Sequence, residues 1–217
     1  MTGGDESAQS SSIVVEERNS LAFIRINRPS ERNSLSVATL EEIERAFLSL
    51  TASDQITSVI FTGTGDVFAS GADIRELHTL TPSAAREFAA RGQLLFRRIA
   101  DAPQLTIAAV NGYCMGGGLD LALACRVRVA SPDAVFAHPG ARLGIITGWG
   151  GTQRLPRLVG AARAFEMFGT ARHVGASEAL EIGLVDALAE DALEGALEIA
   201  RTRVGAIVAT PGGVATS

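Results

Sequence analysis

Three consecutive glycines, Gly116 to Gly118, stand between a β-type run at residues 106–110 (Thr-Ile-Ala-Ala-Val) and a helix-type run at 119–124, with the carboxylate of Asp120 two residues beyond them. Few features constrain a fold as tightly. A strand must end, the chain must turn through backbone angles open to glycine, and a helix must begin within a handful of residues. The first N–H groups of that helix have no internal partner, and its dipole favours negative charge there. The junction is therefore suited to hold an oxyanion, with an acidic side chain on the next turn.

The rest of the chain supplies similar alternations of strand and helix. Residues 13–17 and 21–27 are short β-type runs joined by Arg18-Asn19-Ser20, a hairpin-like connection, and Pro29 ends the second. Ser36 is placed to cap a helix whose apolar residues Leu40, Ile43, Phe47 and Leu50 keep helical spacing. Residues 58–62 (Ser-Val-Ile-Phe-Thr) predict a buried strand ending in a turn at Gly63-Thr-Gly65. A second helix is expected over 82–99, with proline in its first turn and Phe88, Leu95 and Ile99 inward. A further strand is predicted at 126–130, a loop from His138 to Gly151, and helices from Thr152 onward. This alternation predicts an α/β layered domain with largely parallel strands and no sequence repeat.

At 217 residues the chain can bury one full core. Its net charge of −5 argues against nucleic acid or an anionic membrane surface as partner. No apolar run approaches the roughly 20 residues that span a bilayer. Two cysteines and three scattered histidines suggest neither a disulfide framework nor a metal site. Residues 1–12 read as a disordered polar leader and 206–217 as a flexible tail, around a domain at 13–205 that is helical from about 152. A cytoplasmic protein is expected.

A second glycine-bearing segment, Phe68-Ala-Ser-Gly71-Ala72-Asp73-Ile74, precedes the first. The phrases FASGADIREL, AAVNGYCMGGGLDLALACRVRVAS and LGIITGWGGTQRLPRLVG resemble, in order and spacing, three signature blocks of the enoyl-CoA hydratase/isomerase (crotonase) superfamily. INRPSERNSLS resembles a fourth, and the EIGLVDAL phrase after Ala179 a fifth. The resemblance spans residues 13 to about 200. It implies a crotonase (ClpP/crotonase-like) spiral of β-β-α units with a C-terminal helical region, assembled as a homotrimer or a dimer of trimers. It also implies an acyl-CoA thioester as substrate, coenzyme A entering as part of that substrate rather than as a cofactor.

Carried over position by position, the resemblance assigns an oxyanion hole for a thioester enolate to the backbone N–H groups of Ala72 and Gly117, with Asp120 as the main catalytic side chain. Substrate-binding positions fall at Arg32, Phe68, Ser70, Gly71, Asp73, Ile74, Gly116, His138, Gly140 and Trp149. Arg25, Arg28 and Arg32 are candidates for the nucleotide phosphates, against a plain reading as surface arginines. Asp73 reads equally well as a helix cap and Trp149 as core packing.

Two departures bear on the reaction. Typical hydratases use two glutamates, and here Asp120 holds the first position, one methylene shorter. In FAHPGARLG the second falls on Gly140, which has no proton to move. His138 and Arg142 are the neighbouring candidates to replace it. The resemblance also implies a C-terminal helical region longer than the one that follows Glu190. A hydratase-like lyase with an unusual acid–base set is the first expectation; decarboxylation or hydrolysis of acyl-CoA thioesters, or acyl-CoA binding without catalysis, are the alternatives.

Overall fold

The structure is a computed structural model that describes residues 11–208. Most of the expected leader and tail, residues 1–10 and 209–217, lies outside the described residues. Ser11 and Ser12 do not continue a loose leader: the Ser11 hydroxyl and the Ser12 N–H both donate to the Glu42 carboxylate, at 2.8 and 2.9 Å.

The chain opens with an antiparallel hairpin, β1 (Ile13–Arg18) and β2 (Leu21–Ile26), whose turn carries Asn19 at a left-handed φ of 58°. A single 3-10 turn at Pro29–Glu31 leads to β3 (Ser34–Leu35) and to α1 (Val37–Thr51). As the sequence predicts, Ser36 caps α1, its hydroxyl accepting the Thr39 N–H at 3.1 Å. Leu40, Ile43, Phe47 and Leu50 are all buried. Then come β4 (Ser58–Gly63), β5 (Val67–Ala69), β6 (Gly71–Ala72), α2 (Ile74–Thr79) and α3 (Pro82–Asp101). They are followed by β7 (Leu105–Val110), β8 (Tyr113–Met115), α4 (Gly117–Ala124), β9 (Val127–Ala130) and β10 (Val135–Ala137). The last third holds α5 (Gly151–Val159), α6 (Ala161–Thr170), β11 (Val174–Gly175), α7 (Ala176–Glu181), β12 (Ala187–Leu188) and α8 (Ala192–Val208). The helix-rich end thus contains two short strands that no apolar period announces, and α8 runs past the expected boundary at 205.

Two sheets explain the alternation. One has the order β1-β2-β4-β7-β9-β12, parallel beyond the first hairpin; the other has the order β11-β10-β8-β5, while β3 and β6 pair apart from both as a small parallel ribbon. Each pass of chain lays one strand in the larger sheet, the next in the smaller, and then a helical segment: β4-β5-α2, β7-β8-α4, and β9-β10 ahead of α5. The repeat is architectural and absent from the residues. β4 and β7 are buried along their whole length, as parallel strands covered on both faces must be. One face of the large sheet packs with α1 and α3 into the main core. The other, with Phe23, Ile60, Ile107 and Val129, is covered by Ala192, Ala196, Leu197 and Ala200 of α8.

Two asparagines hold the loops that carry the site. Asn33, wholly buried, donates to the Val67 carbonyl at 2.6 Å and the Thr64 carbonyl at 3.0 Å, while its side-chain oxygen accepts the Arg28 N–H at 2.9 Å. The Asn111 side chain accepts the Gly63 N–H at 3.0 Å and donates to the Gly65 carbonyl at 2.7 Å. Each replaces strand-to-strand bonds that end where the chain turns.

Candidate active site

The glycine junction closes at the start of α4. Gly116 stands at the helix N-cap with φ 51° and ψ −118°, angles that a Cβ forbids. Its N–H donates to the Ala137 carbonyl at 2.9 Å and its carbonyl accepts the Asp120 N–H at 3.0 Å. Gly117 is the first helical residue, so its N–H has no partner within the helix. Across from it, Asp73 N–H donates to the Leu35 carbonyl at 3.2 Å, in the parallel pairing of β3 with β6. Alternation along the strand then turns the Ala72 N–H away from that ladder. The two backbone nitrogens lie close to one another: a Cβ built on Gly117 would lie 3.4 Å from Ala72 N, and one on Gly71 would lie 3.1 Å from Gly117 N.

Both residues line a cavity of about 270 Å³. Ser70, Gly71, Ala72, Ile74, Gly116, Gly117, His138, Gly140 and Trp149, all named from the sequence, line it together with Leu77, Leu80, Phe88, Thr147 and other apolar residues. Among the described residues its walls include no Asp, Glu, Lys or Arg, and His138 is the single titratable side chain.

Four expected site residues stand elsewhere. Phe68 is fully buried in the main core, because β5 turns it away from the cavity. Asp73 caps α2, accepting the Arg75 N–H at 3.0 Å; the Arg75 guanidinium holds its carboxyl down to about 2. Arg32 has a left-handed φ of 52° and lays its guanidinium 5.2 Å from the Tyr113 ring centroid. Asp120 is wholly buried and does not reach the cavity wall. Of the other arginines, Arg28 is engaged internally by the Ser34 carbonyl at 2.7 Å and by Glu31, and Arg142 is exposed.

Asp120 faces the start of α5. One carboxylate oxygen, Oδ2, accepts from the Thr147 hydroxyl and from the Trp149 N–H at 3.1 Å. The other, Oδ1, has no hydrogen-bond partner and lies 3.7 Å from His138 Nε2. Burial pushes the Asp120 carboxyl up to about 6, against the opposing pull of the Thr147 hydroxyl, the Trp149 and Gly151 amides and Arg154. Burial takes the His138 imidazole down to about 4, and neither of its ring nitrogens has a partner. Phe168 covers the imidazole with ring centroids 4.9 Å apart.

Trp149 is both packed in the core and placed at the cavity wall. Its indole packs against Phe88 and Phe96 at centroid distances of 5.1 and 5.6 Å, and also forms part of the cavity wall. It fits only because Gly117 and Gly92 lack side chains: a Cβ on either would fall 2.3 Å from the indole. Arg154 donates to the Trp149 and Phe96 carbonyls, both at 3.2 Å, tying that loop to α3. Thr147 goes unmarked in the sequence, where the stretch before Gly151 has no period, and Arg154 reads only as one arginine of an expected helix.

Gly140 is more than a missing acid. A Cβ built there would meet the Ile145 carbonyl oxygen at 2.5 Å, in a turn closed by the Ile145 N–H donating to the Gly140 carbonyl at 3.0 Å. Gly140→Glu is therefore expected to lower stability by about 1–3 kcal/mol, read by urea unfolding, without raising turnover of any acyl-CoA. A gain in turnover at unchanged stability would contradict this packing.

A family model described as enoyl-CoA hydratase/isomerase matches residues 16–210. Over 175 residues the chain is 45% identical to a crotonyl-CoA hydratase of Syntrophomonas wolfei, covering 80% of this chain and 67% of that protein. It is 40% identical over 179 residues to a short-chain-enoyl-CoA hydratase of Clostridium acetobutylicum, covering 82% and 69%. The crystal structure of an enoyl-CoA hydratase from Bacillus anthracis superposes with a TM-score of 0.85 at 36% identity, over 89% of this chain and 76% of that one. DspI of Pseudomonas aeruginosa superposes with a TM-score of 0.86 at 34% identity, over 94% and 84%.

Proposed function

As the chain belongs to the enoyl-CoA hydratase/isomerase family and has its crotonase fold, we propose that it hydrates a short 2-enoyl-CoA thioester. The observation that carries this reading is that Ala72 and Gly117, whose amides lack ladder and helix partners, lie side by side on the wall of one largely apolar cavity. A thioester oxygen between them gains negative charge as the β carbon is attacked, and donors fixed in advance stabilise that charge without reorganising. The cavity of about 270 Å³ suits a short acyl group beside its thioester. Coenzyme A is part of the substrate, and the homotrimer or dimer of trimers implied by the resemblance belongs to the same reading.

A second reading has its own support. With no carboxylate on the cavity wall, decarboxylation of a malonyl-type thioester needs only the hole, since loss of carbon dioxide generates the enolate without a base. Incubation with crotonyl-CoA and with methylmalonyl-CoA, followed by mass spectrometry, separates the two. Addition of water to crotonyl-CoA, with methylmalonyl-CoA unchanged, is the expected result. Propionyl-CoA from methylmalonyl-CoA favours decarboxylation, and binding with no product from either leaves a non-catalytic acyl-CoA-binding protein.

A further inference from the structure

His138 follows β10 directly, at the cavity wall and two residues before Gly140. It is 2% exposed, and both of its ring nitrogens lack partners. A histidine kept only for packing is normally hydrogen-bonded when buried, because an unpartnered polar atom costs stability. Facing it is a second orphan. Thr147 and Trp149 donate to Oδ2 of Asp120, while Oδ1, beside the Gly151 backbone, has no hydrogen-bond partner and lies 3.7 Å from His138 Nε2. That separation exceeds the roughly 2.9 Å of a formed bond, as is common for catalytic contacts before substrate closes the site. Phe168 covers the ring, with centroids 4.9 Å apart.

We propose that His138, positioned by Asp120, is the proton-transferring group of this site. The assignment rests on the acyl-CoA reading above. The Asp120 carboxylate accepts the Nε2–H, which leaves Nδ1 as the neutral acceptor. In enolisation of a saturated thioester the Cα–H bond breaks and its proton passes to Nδ1. Its electron pair becomes the enolate, with charge on the thioester oxygen, and return of a proton from the imidazolium reverses the step. In hydration the same nitrogen takes a proton from water as its oxygen bonds to Cβ, and returns it to Cα. Cys114 of β8 and Arg154 of α5 are the other titratable groups whose charge reaches Asp120. The Cys114 thiol stays neutral, its ionisation pushed well up by burial, and the Arg154 cation favours the Asp120 carboxylate that the pair requires.

The test is deuterium exchange at the α carbon of butyryl-CoA in heavy water, read by mass spectrometry, with butyryl-CoA affinity measured by calorimetry. Native protein exchanges the α hydrogens. His138→Gln is expected to slow exchange by about 10²–10⁴-fold while affinity changes less than about threefold. Asp120→Asn should lose a comparable factor, because its amide donates to Nε2 and moves the ring proton onto Nδ1. The double variant should be no slower than either single one, which a merely structural role for Asp120 does not predict. Exchange in folded His138→Gln within about threefold of native overturns the proposal, as does binding without exchange in the native protein. Failure of the native protein to bind butyryl-CoA overturns the acyl-CoA reading itself.

Discussion

Gly117→Pro is expected to reduce turnover of any acyl-CoA by at least about 10³-fold. Proline deletes the N–H that lies beside that of Ala72. The position is otherwise open to it, since the first residue of a helix suits the fixed φ of proline and has no intrahelical N–H bond to lose. Any side chain here, though, meets the Trp149 indole, because a Cβ would fall 2.3 Å from it. Gly117→Ala is the necessary comparison: it displaces the indole and keeps the donor. The proline variant should be slower than the alanine variant by about 10²–10³-fold, the usual cost of one donor to a developing oxyanion. Circular dichroism and thermal unfolding of both variants check that the fold persists. If the two lose activity equally, the loss belongs to the displaced tryptophan and the Gly117 amide carries no charge.

Asp120→Asn is expected to make the protein more stable at pH 8 while slowing proton transfer. Burial raises the Asp120 carboxyl from 3.8 to about 6, so the folded protein holds its proton more tightly than the unfolded chain does. The penalty is absent below about 4, grows as pH rises, and is complete above about 6. Two pH units correspond to something on the order of 3 kcal/mol. Asparagine carries no charge, and its oxygen can still accept from Thr147 and the Trp149 N–H. Urea unfolding at pH 4.5 and at pH 8 should show the native protein losing this margin and the variant keeping it. A variant no more stable than native at pH 8 would mean that the carboxylate is better solvated than its burial implies. A carboxylate retained at such a cost is what a working site leads one to expect.

Much of the scaffold was legible from local pattern. Ser36 followed by Leu40, Ile43, Phe47 and Leu50 could be read because capping and helical period are rules about near neighbours. The all-apolar strands β4 and β7 announced burial on both faces. The short strands β5, β6, β8 and β10 were missed, since two or three residues carry no period; their pairing is decided by the neighbouring turns of the spiral. The resemblance assigns Phe68 to the substrate site with Ser70 to Ile74, yet alternation along β5 sends it into the core.

The sequence by itself determined the longer elements, the glycine junction and, through five ordered motifs, the family and its fold. Backbone conformation answers to residues close along the chain, and the junction is a property of the backbone. Only the tertiary structure decided what surrounds Asp120. It turns one oxygen toward Thr147 and Trp149, sets the other 3.7 Å from His138 and beside Gly151, and fills the space beside Gly140 with the Ile145 carbonyl. Thr147 and Trp149 lie 27 and 29 residues beyond Asp120 in the chain, and no local rule links them to it. They meet because α4, β10 and α5 fold around one cavity, where the loss of water decides which charges survive and what they can do.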